Sequence, residues 1–468
     1  MKDLIRRRFW EKKSALVAVL RLVRMIKTMY SLSTSHRAAA TSRVQPLARG
    51  VVLLLALLMA SGNLFAYSVL THEEIVDLLW ISEIRPLLIQ RFPGITEDQI
   101  KKAHAYAYGG SVIQDLGYYP LGNKDFSNLT HYVRSGDFVI ELLRESKDAD
   151  EYAFALGALS HYTADINGHP AVNEAVAIHY PKLRAKYGIS VRYADDRTAH
   201  LKTEFGFDTL QVAKNRYAPE QYHDFIGFQV AEPLLERVVL VVYGLQMKDV
   251  LPHEDLAIGS YRFAVSRLIP EMTQVALETH KKDLMREKPN FARQEFLYRL
   301  SRSDYEKEWG KIYTKPGLGT RILATLLRFI PKIGPFKGLG FNNPTPQTED
   351  LYIKSIDTTV DHYRAFLEET RAGKLVLPNC DLDSGNPAKA AEYSLTDETY
   401  AKLLGRLSAQ NFDQTSTQLR ANILEFYADP SLPIETKKDP ARWQAVLTEV
   451  SQLKSATPSP ASPANPAP

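Results

Sequence analysis

Gly157-Ala-Leu-Ser-His161-Tyr-Thr-Ala-Asp165-Ile-Asn-Gly-His169-Pro170 closes an apolar run that begins at Tyr152 and has the pattern of a buried helix. Residues four apart share a helix face, so His161 and Asp165 present an imidazole and a carboxylate side by side. His169 follows one turn later, where Gly168 and Pro170 predict the end of the helix. A nitrogen and an oxygen ligand held rigidly at this spacing suit a Zn²⁺ site. One such pair, taken alone, reads better as a core histidine with a satisfied partner. The deciding question is whether the rest of the chain repeats the pattern.

It does. Asp195-Asp-Arg-Thr-Ala-His200-Leu-Lys-Thr-Glu204-Phe-Gly-Phe-Asp208 holds a second His-x3-acid pair, with Asp208 either extending the row or standing as a solvated charge. Seven of the twelve histidines lie between residues 72 and 204, and only four in the 264 residues beyond, so the imidazoles are gathered where the acid pairs are. His72 reads as a first-turn residue of a helix capped by Thr71, with Glu74 completing a capping box. His131 likewise reads as a helix start, after a polar loop at 121–129. A helix from Thr96, with Glu97 and Asp98 in its first turn, is expected to loosen at Gly109 and Gly110 and to end by Gly117 and Pro120, which leaves Asp115 near a helix end. The tyrosines at 106, 108, 118 and 119 read either as core aromatics or as a pocket for a cationic head group. His179, in the helical pattern of 171–186, reads as a surface residue.

The N-terminal segment reads as an address rather than as fold. Residues 1–50 are rich in Arg and Lys, residues 51–60 are an unbroken apolar run of ten, and Ser-Gly-Asn-Leu-Phe-Ala66 resembles a small-residue cleavage site. Ten apolar residues are too few to span a bilayer, so the expectation is export with cleavage after Ala66; the alternative is retention by an uncleaved N-terminal anchor. Cleavage would make Tyr67 the new N-terminus, with a free amine five residues from His72. It would also remove 12 basic and 2 acidic residues, taking the net charge from +4 to about −6. An acidic chain argues against a nucleic-acid partner. The single cysteine, Cys380, excludes an intrachain disulfide, so stability rests on packing and metal.

Beyond the histidine-rich region, helical patterns run through 222–246 and 253–282, with a charged helix at 291–312. Residues 315–341 are apolar, basic and broken by Pro and Gly, which suits either an arm packed on the core or peripheral contact with a lipid surface. Helices are expected near 350–371, 396–409, 413–427 and 439–454, and the Pro/Ala/Ser-rich end should be disordered. No clear strand run appears, so the fold class is all-α. The expected division is a basic leader and signal peptide at 1–66, a helical domain at 67–312, an arm at 313–350, a C-terminal helical region at 351–455 and a tail at 456–468.

The order Tyr67, His72, Asp115, His131, His161-x3-Asp165, His169, His200-x3-Glu204 resembles the trinuclear zinc site of bacterial zinc-dependent phospholipase C, whose fold is shared by the zinc-dependent single-strand nucleases of fungi and plants. The resemblance covers roughly residues 67–285 and is carried most specifically by the two His-x3-acid pairs. It implies a multi-helix bundle around three Zn²⁺ ions. By the likeness, Asp115, His131, His161 and Asp165 would hold one zinc. Asp165 would bridge to a second, held by His72 and by the amine and carbonyl of Tyr67. His169, His200 and Glu204 would hold the third. His169 comes only four positions after Asp165, a shorter gap than in the secreted phospholipases and similar to the phospholipase D that cuts glycosylphosphatidylinositol anchors.

The function implied is an exported phosphodiesterase, foremost a phospholipase C hydrolysing phospholipid head groups by zinc-activated water, with Asp115 as the catalytic carboxylate. A single-strand nuclease or 3′-nucleotidase, a glycosylphosphatidylinositol-directed phospholipase, and a non-catalytic zinc-stabilised binding protein are the alternatives.

Overall fold

Two carboxylate oxygens far along the chain hold the start of the first described helix. Leu70 N–H donates to Asp208 Oδ2 at 3.0 Å and the Thr71 hydroxyl donates to Asp208 Oδ1 at 2.7 Å. This helix, α1 (Val69–Leu79), already includes Thr71, so Thr71 is not its N-cap; its hydroxyl serves a tertiary bond instead. The structure, a computed structural model, describes residues 69–119, 121–213, 228–265 and 343–456. All of these belong to one compact unit. The leader, Tyr67, the charged helix of 291–312, the stretch 315–341 and the tail from 457 lie outside the described residues.

A π-helical turn (Trp80–Ile84) leads from α1 into α2 (Arg85–Arg91). Next, α3 (Glu97–Ser111) starts after Thr96 as its sequence predicts, and it opens with a reciprocal cap. Thr96 Oγ1 accepts from Gln99 N–H at 3.3 Å while the Gln99 side chain accepts from Thr96 N–H at 2.9 Å. A 3₁₀ turn (Ile113–Tyr118) follows and carries Asp115. Of the polar stretch expected to be a loop at 121–129, only residues 121–123 are non-helical. Asn123 accepts from Asp125 N–H and starts α4 (Lys124–Tyr132), which puts His131 in the last turn of a helix rather than the first. Then come α5 (Ser135–Glu145) and α6 (Ala149–His179), the latter capped by Asp148 accepting from Glu151 N–H.

At 31 residues α6 is roughly 46 Å long and is the longest described helix. It runs through Gly168 and Pro170, where the sequence predicts its end. Proline removes one N–H from the ladder; Pro170 itself is exposed, but His169 before it and Val172 and Asn173 after it are buried, and their packing compensates for that single loss. Phe154, Leu156 and Leu159 are 0% exposed, each contributing roughly 1.5–3 kcal/mol of burial. The glycines explain how close the neighbours come. A Cβ on Gly110 of α3 would stand 1.9 Å from the Phe154 carbonyl, and one on Gly157 of α6 would stand 2.0 Å from that of Ala107. Gly109 and Gly110 thus leave α3 helical and let two backbones touch, instead of loosening the helix.

The remaining α-helices among the described residues are α7 (Pro181–Tyr187), α8 (Arg197–Ala213), α9 (Glu232–Tyr243), α10 (Met247–Val250), α11 (Glu254–Phe263), α12 (Pro346–Arg371), α13 (Ser394–Ala409), α14 (Thr417–Phe426) and α15 (Pro440–Ser455). One apolar cluster runs through the unit from Val69 to Leu453. Within it α12 lies along α6, its Tyr363 hydroxyl donating to the Leu156 carbonyl at 2.9 Å, and Tyr352 stacks on Phe207 at 4.5 Å. His179 is half-buried, not a surface residue, and reaches Thr348 Oγ1 at 3.2 Å. Among the described residues there is no strand, only an isolated bridge between Cys380 and Pro387, so the fold is all-α. No described helix is long and apolar enough to cross a membrane.

Candidate metal centre

His161, Asp165 and His169 form a row one turn apart on α6, exposed by no more than 1%. Three other elements close on this row. From α1 comes His72, whose ring stacks on His161 at 4.4 Å with Nε2 3.6 Å from Asp165 Oδ1. The 3₁₀ turn and the end of α4 bring Asp115 and His131, with His131 Nε2 3.3 Å from Asp115 Oδ1 and 3.4 Å from Asp165 Oδ2. From α8, His200 Nε2 lies 3.0 Å from Glu204 Oε1, and His169 Nε2 lies 3.6 Å from the same oxygen. Three groups result: His72 with His161 and Asp165; Asp115 with His131 and His161; His169 with His200 and Glu204. In each, the donor atoms lie within 4.8 Å of one another. Eight of the nine residues picked from the sequence therefore meet in one place, and the ninth, Tyr67, lies outside the described residues.

Asp165 joins the groups. Its carboxylate stands 3.1 Å from His161 Nε2, 3.4 Å from His131 Nε2, 3.6 Å from His72 Nε2 and 3.7 Å from His169 Nε2. Backbone carbonyls set the tautomers around it. His131 Nδ1–H donates to the Ser127 carbonyl at 2.7 Å and His161 Nδ1–H to the Ser111 carbonyl at 2.9 Å. A carbonyl can only accept, so each Nδ1 carries the proton and each Nε2 turns toward the carboxylates. Neither Nε2, neither oxygen of Asp165 and neither oxygen of Glu204 has a hydrogen-bond partner. Buried lone pairs facing lone pairs at 3–4 Å repel unless a cation lies among them.

The electrostatics carry the same message. Burial raises the pKa of Asp165, but the imidazoles of His161 and His169 outweigh it and hold the carboxyl well below its ordinary range. Burial pushes His72 well down, assisted by His161 stacked beside it. For His131 burial is again the largest influence and acts downward; Asp115 and Asp165 reverse it and raise the group to about 10. His169 is raised to about 10 in the same way, by Asp165 and Asp383 against burial. Burial raises Glu204 in spite of His200. Such a cluster binds positive charge strongly. Imidazole nitrogens and carboxylate oxygens in sets of three are what Zn²⁺ takes, so the residues fit the metal.

Sequence reasoning missed one member of this centre and misplaced others. Asp383, beyond α12, puts Oδ1 3.4 Å from His169 Nδ1. It follows 214 residues after its histidine in a loop without a helical pattern, and no sequence signal links the two. Of the four tyrosines proposed as a pocket, Tyr108 donates to Asp77 at 2.6 Å and Tyr119 packs edge-on against Tyr261 at 5.0 Å, both in the core. Tyr106 lies beside Lys102, its ring centroid 5.6 Å from the ammonium. Only Tyr118 borders the centre, 5.7 Å from His131. Its companion is Tyr193, 6.1 Å from Tyr118 and 5.6 Å from His200, and the exposed Arg197 sits over the Tyr193 ring at 5.4 Å. A cation and two aromatic rings thus border the centre.

Residues 71–251 match the family model described as zinc dependent phospholipase C. The matched stretch contains all eight of the described cluster residues. No curated protein and no solved structure matches the chain.

Proposed function

We propose, from the premise that residues 71–251 are a zinc-dependent phospholipase C domain, that the chain is a phospholipase C hydrolysing the phosphodiester between glycerol and head group of a phospholipid. The observation that supports this most is the joining of three buried imidazole–carboxylate groups through the single carboxylate of Asp165. Zinc held by these groups supplies Lewis-acid polarisation of the phosphoryl oxygens and lowers the pKa of water to about 7. The chain's own residues do the rest. His131 and His161, each fixed through Nδ1–H to a carbonyl, keep Nε2 aimed inward without rearrangement as the reaction proceeds. Asp115, beside His131 in the 3₁₀ turn, is the carboxylate we assign to orient the attacking water and take its proton. Tyr118 and Tyr193 exclude bulk water, and Arg197 offers an incoming phosphodiester its first positive charge.

Export with cleavage after Ala66 belongs to the same proposal. Asp208 fixes the chain at Leu70 and Thr71, a few residues beyond the amine that cleavage would create at Tyr67. An α-amine must lose its proton to bind a metal, so an uncleaved chain would have no such ligand.

The test is an assay of the purified, cleaved protein on phosphatidylcholine, phosphatidylinositol and single-stranded DNA, with and without chelator. Expected is release of phosphorylated head group that chelator abolishes and Zn²⁺ restores. Chelator-resistant hydrolysis would sink the zinc mechanism. Cutting of DNA alone would replace the phospholipase with the nuclease reading.

A further inference from the structure

Asp383 lies well outside the stretch that matches the family, yet it is 3% exposed and its carboxylate is aimed at the third metal group. Both of its oxygens are engaged. Oδ1 is 3.4 Å from His169 Nδ1, while Oδ2 accepts the Tyr132 hydroxyl at 2.9 Å and also the Tyr393 hydroxyl. Its backbone is anchored too, for the Asp383 carbonyl accepts from Asn173 Nδ2 at 2.9 Å, one turn beyond His169 on α6. The loop around it is built to keep this position. Leu382 N–H donates to the carbonyl of His131 at 3.1 Å, so the loop touches a cluster residue's own backbone. Gly385 has φ +73°, and a Cβ there would stand 2.4 Å from the Ile166 carbonyl. That is the carbonyl to which Pro170, having no N–H, cannot donate. The proline therefore marks where the loop meets α6.

A histidine that uses Nε2 toward a metal is commonly oriented by a carboxylate on Nδ1–H, and losing that partner typically costs 10- to 100-fold in metal affinity. Two of the cluster histidines take backbone carbonyls for this purpose; His169 has Asp383. We infer that Asp383 is the positioning residue of His169, and that the 380–386 loop thereby makes the C-terminal helices part of the metal centre rather than a neighbour of it. Tyr132 and Tyr393 hold the carboxylate; Asp383 holds the imidazole; the imidazole faces Glu204.

The inference rests on the zinc reading above, and the experiment separates the two. Zinc equivalents per chain are counted by elemental analysis in the full protein, in Asp383→Asn and in Tyr393→Phe, and affinities are ranked by competition with a chromophoric chelator. Expected is a 10- to 100-fold weaker hold on one equivalent in Asp383→Asn, a smaller loss of the same equivalent in Tyr393→Phe, and unchanged affinity of the remaining zinc. Helicity and the melting temperature at saturating zinc should stay near those of the unsubstituted protein. Wild-type affinity for every equivalent in both variants would overturn the inference and leave the zinc reading intact. A lowered melting temperature with unchanged zinc affinity would also overturn it, because Asp383 would then be structural only. Should Asp383→Asn not fold, Tyr393→Phe decides by the same readout. An unsubstituted protein without zinc would sink the functional proposal itself.

Discussion

A single carboxylate within 3.7 Å of four imidazoles is unusual enough to make Asp165 the residue on which the centre depends. Asp165→Asn keeps the shape and removes the charge shared by the groups. We expect it to lower zinc content by more than one equivalent and hydrolysis by roughly 10²–10³-fold, the scale of losing one transition-state charge stabiliser. His161→Ala should likewise lower zinc content together with rate, since His161 belongs to two groups; full zinc retention would return it to the status of a core histidine. A residue far from the centre predicts a pH effect. Burial, with Glu236 and Glu232 nearby, raises Glu254 from its ordinary value to about 7. A carboxyl raised on folding adds stability below its unfolded pKa of about 4.3, and that contribution is lost as pH rises to 7. Removing the charge with Glu254→Gln should therefore raise the melting temperature at pH 8 and not at pH 4. The gain should stay below about 1 kcal/mol because the side chain is half in solvent. An equal shift at both pH values would contradict the assignment.

Among the elements, α6 carries most of the design. Its i, i+4, i+8 row was legible because helical periodicity needs only the local sequence, and the second pair on α8 was legible for the same reason. The element boundaries were not. His131 falls at a helix end because Asn123, inside a stretch too polar to read as helical, supplies a cap. Pro170 and Gly168 failed to stop α6 because packing of α3, α5, α8 and α12 around it outweighs one missing hydrogen bond. The close crossing of α3 and α6 gives a direct test. Gly110→Ala would force a Cβ to within 1.9 Å of backbone, so the helices must separate, at a cost of about 3 kcal/mol or more. Thermal unfolding followed by circular dichroism should show a large drop in melting temperature; an unchanged melt would mean that the crossing is looser than described.

For the molecule as a whole, a metal bound only by the folded state stabilises it by mass action, by about 4 kcal/mol per site at a thousandfold excess over Kd. Stripping zinc with a chelator should accordingly lower the melting temperature, and Zn²⁺ should restore it more effectively than Mg²⁺, which disfavours imidazole ligands. A melt indifferent to chelator would leave the buried lone pairs of His131, His161 and Glu204 without an explanation. By itself the sequence determined that the fold is helical and that imidazoles and carboxylates recur one turn apart at a spacing that suits Zn²⁺, because these are properties of spacing along a helix; a multinuclear arrangement was implied only by the family resemblance. Tertiary structure alone decided how closely these groups approach, with Asp165 within 3.7 Å of four imidazoles, and that Asp383 reaches His169 across 214 residues. Such pairings depend on where helices cross and where a loop is pinned between them. Close backbone approaches at glycines and a proline set those crossings, and no periodicity in the sequence records them.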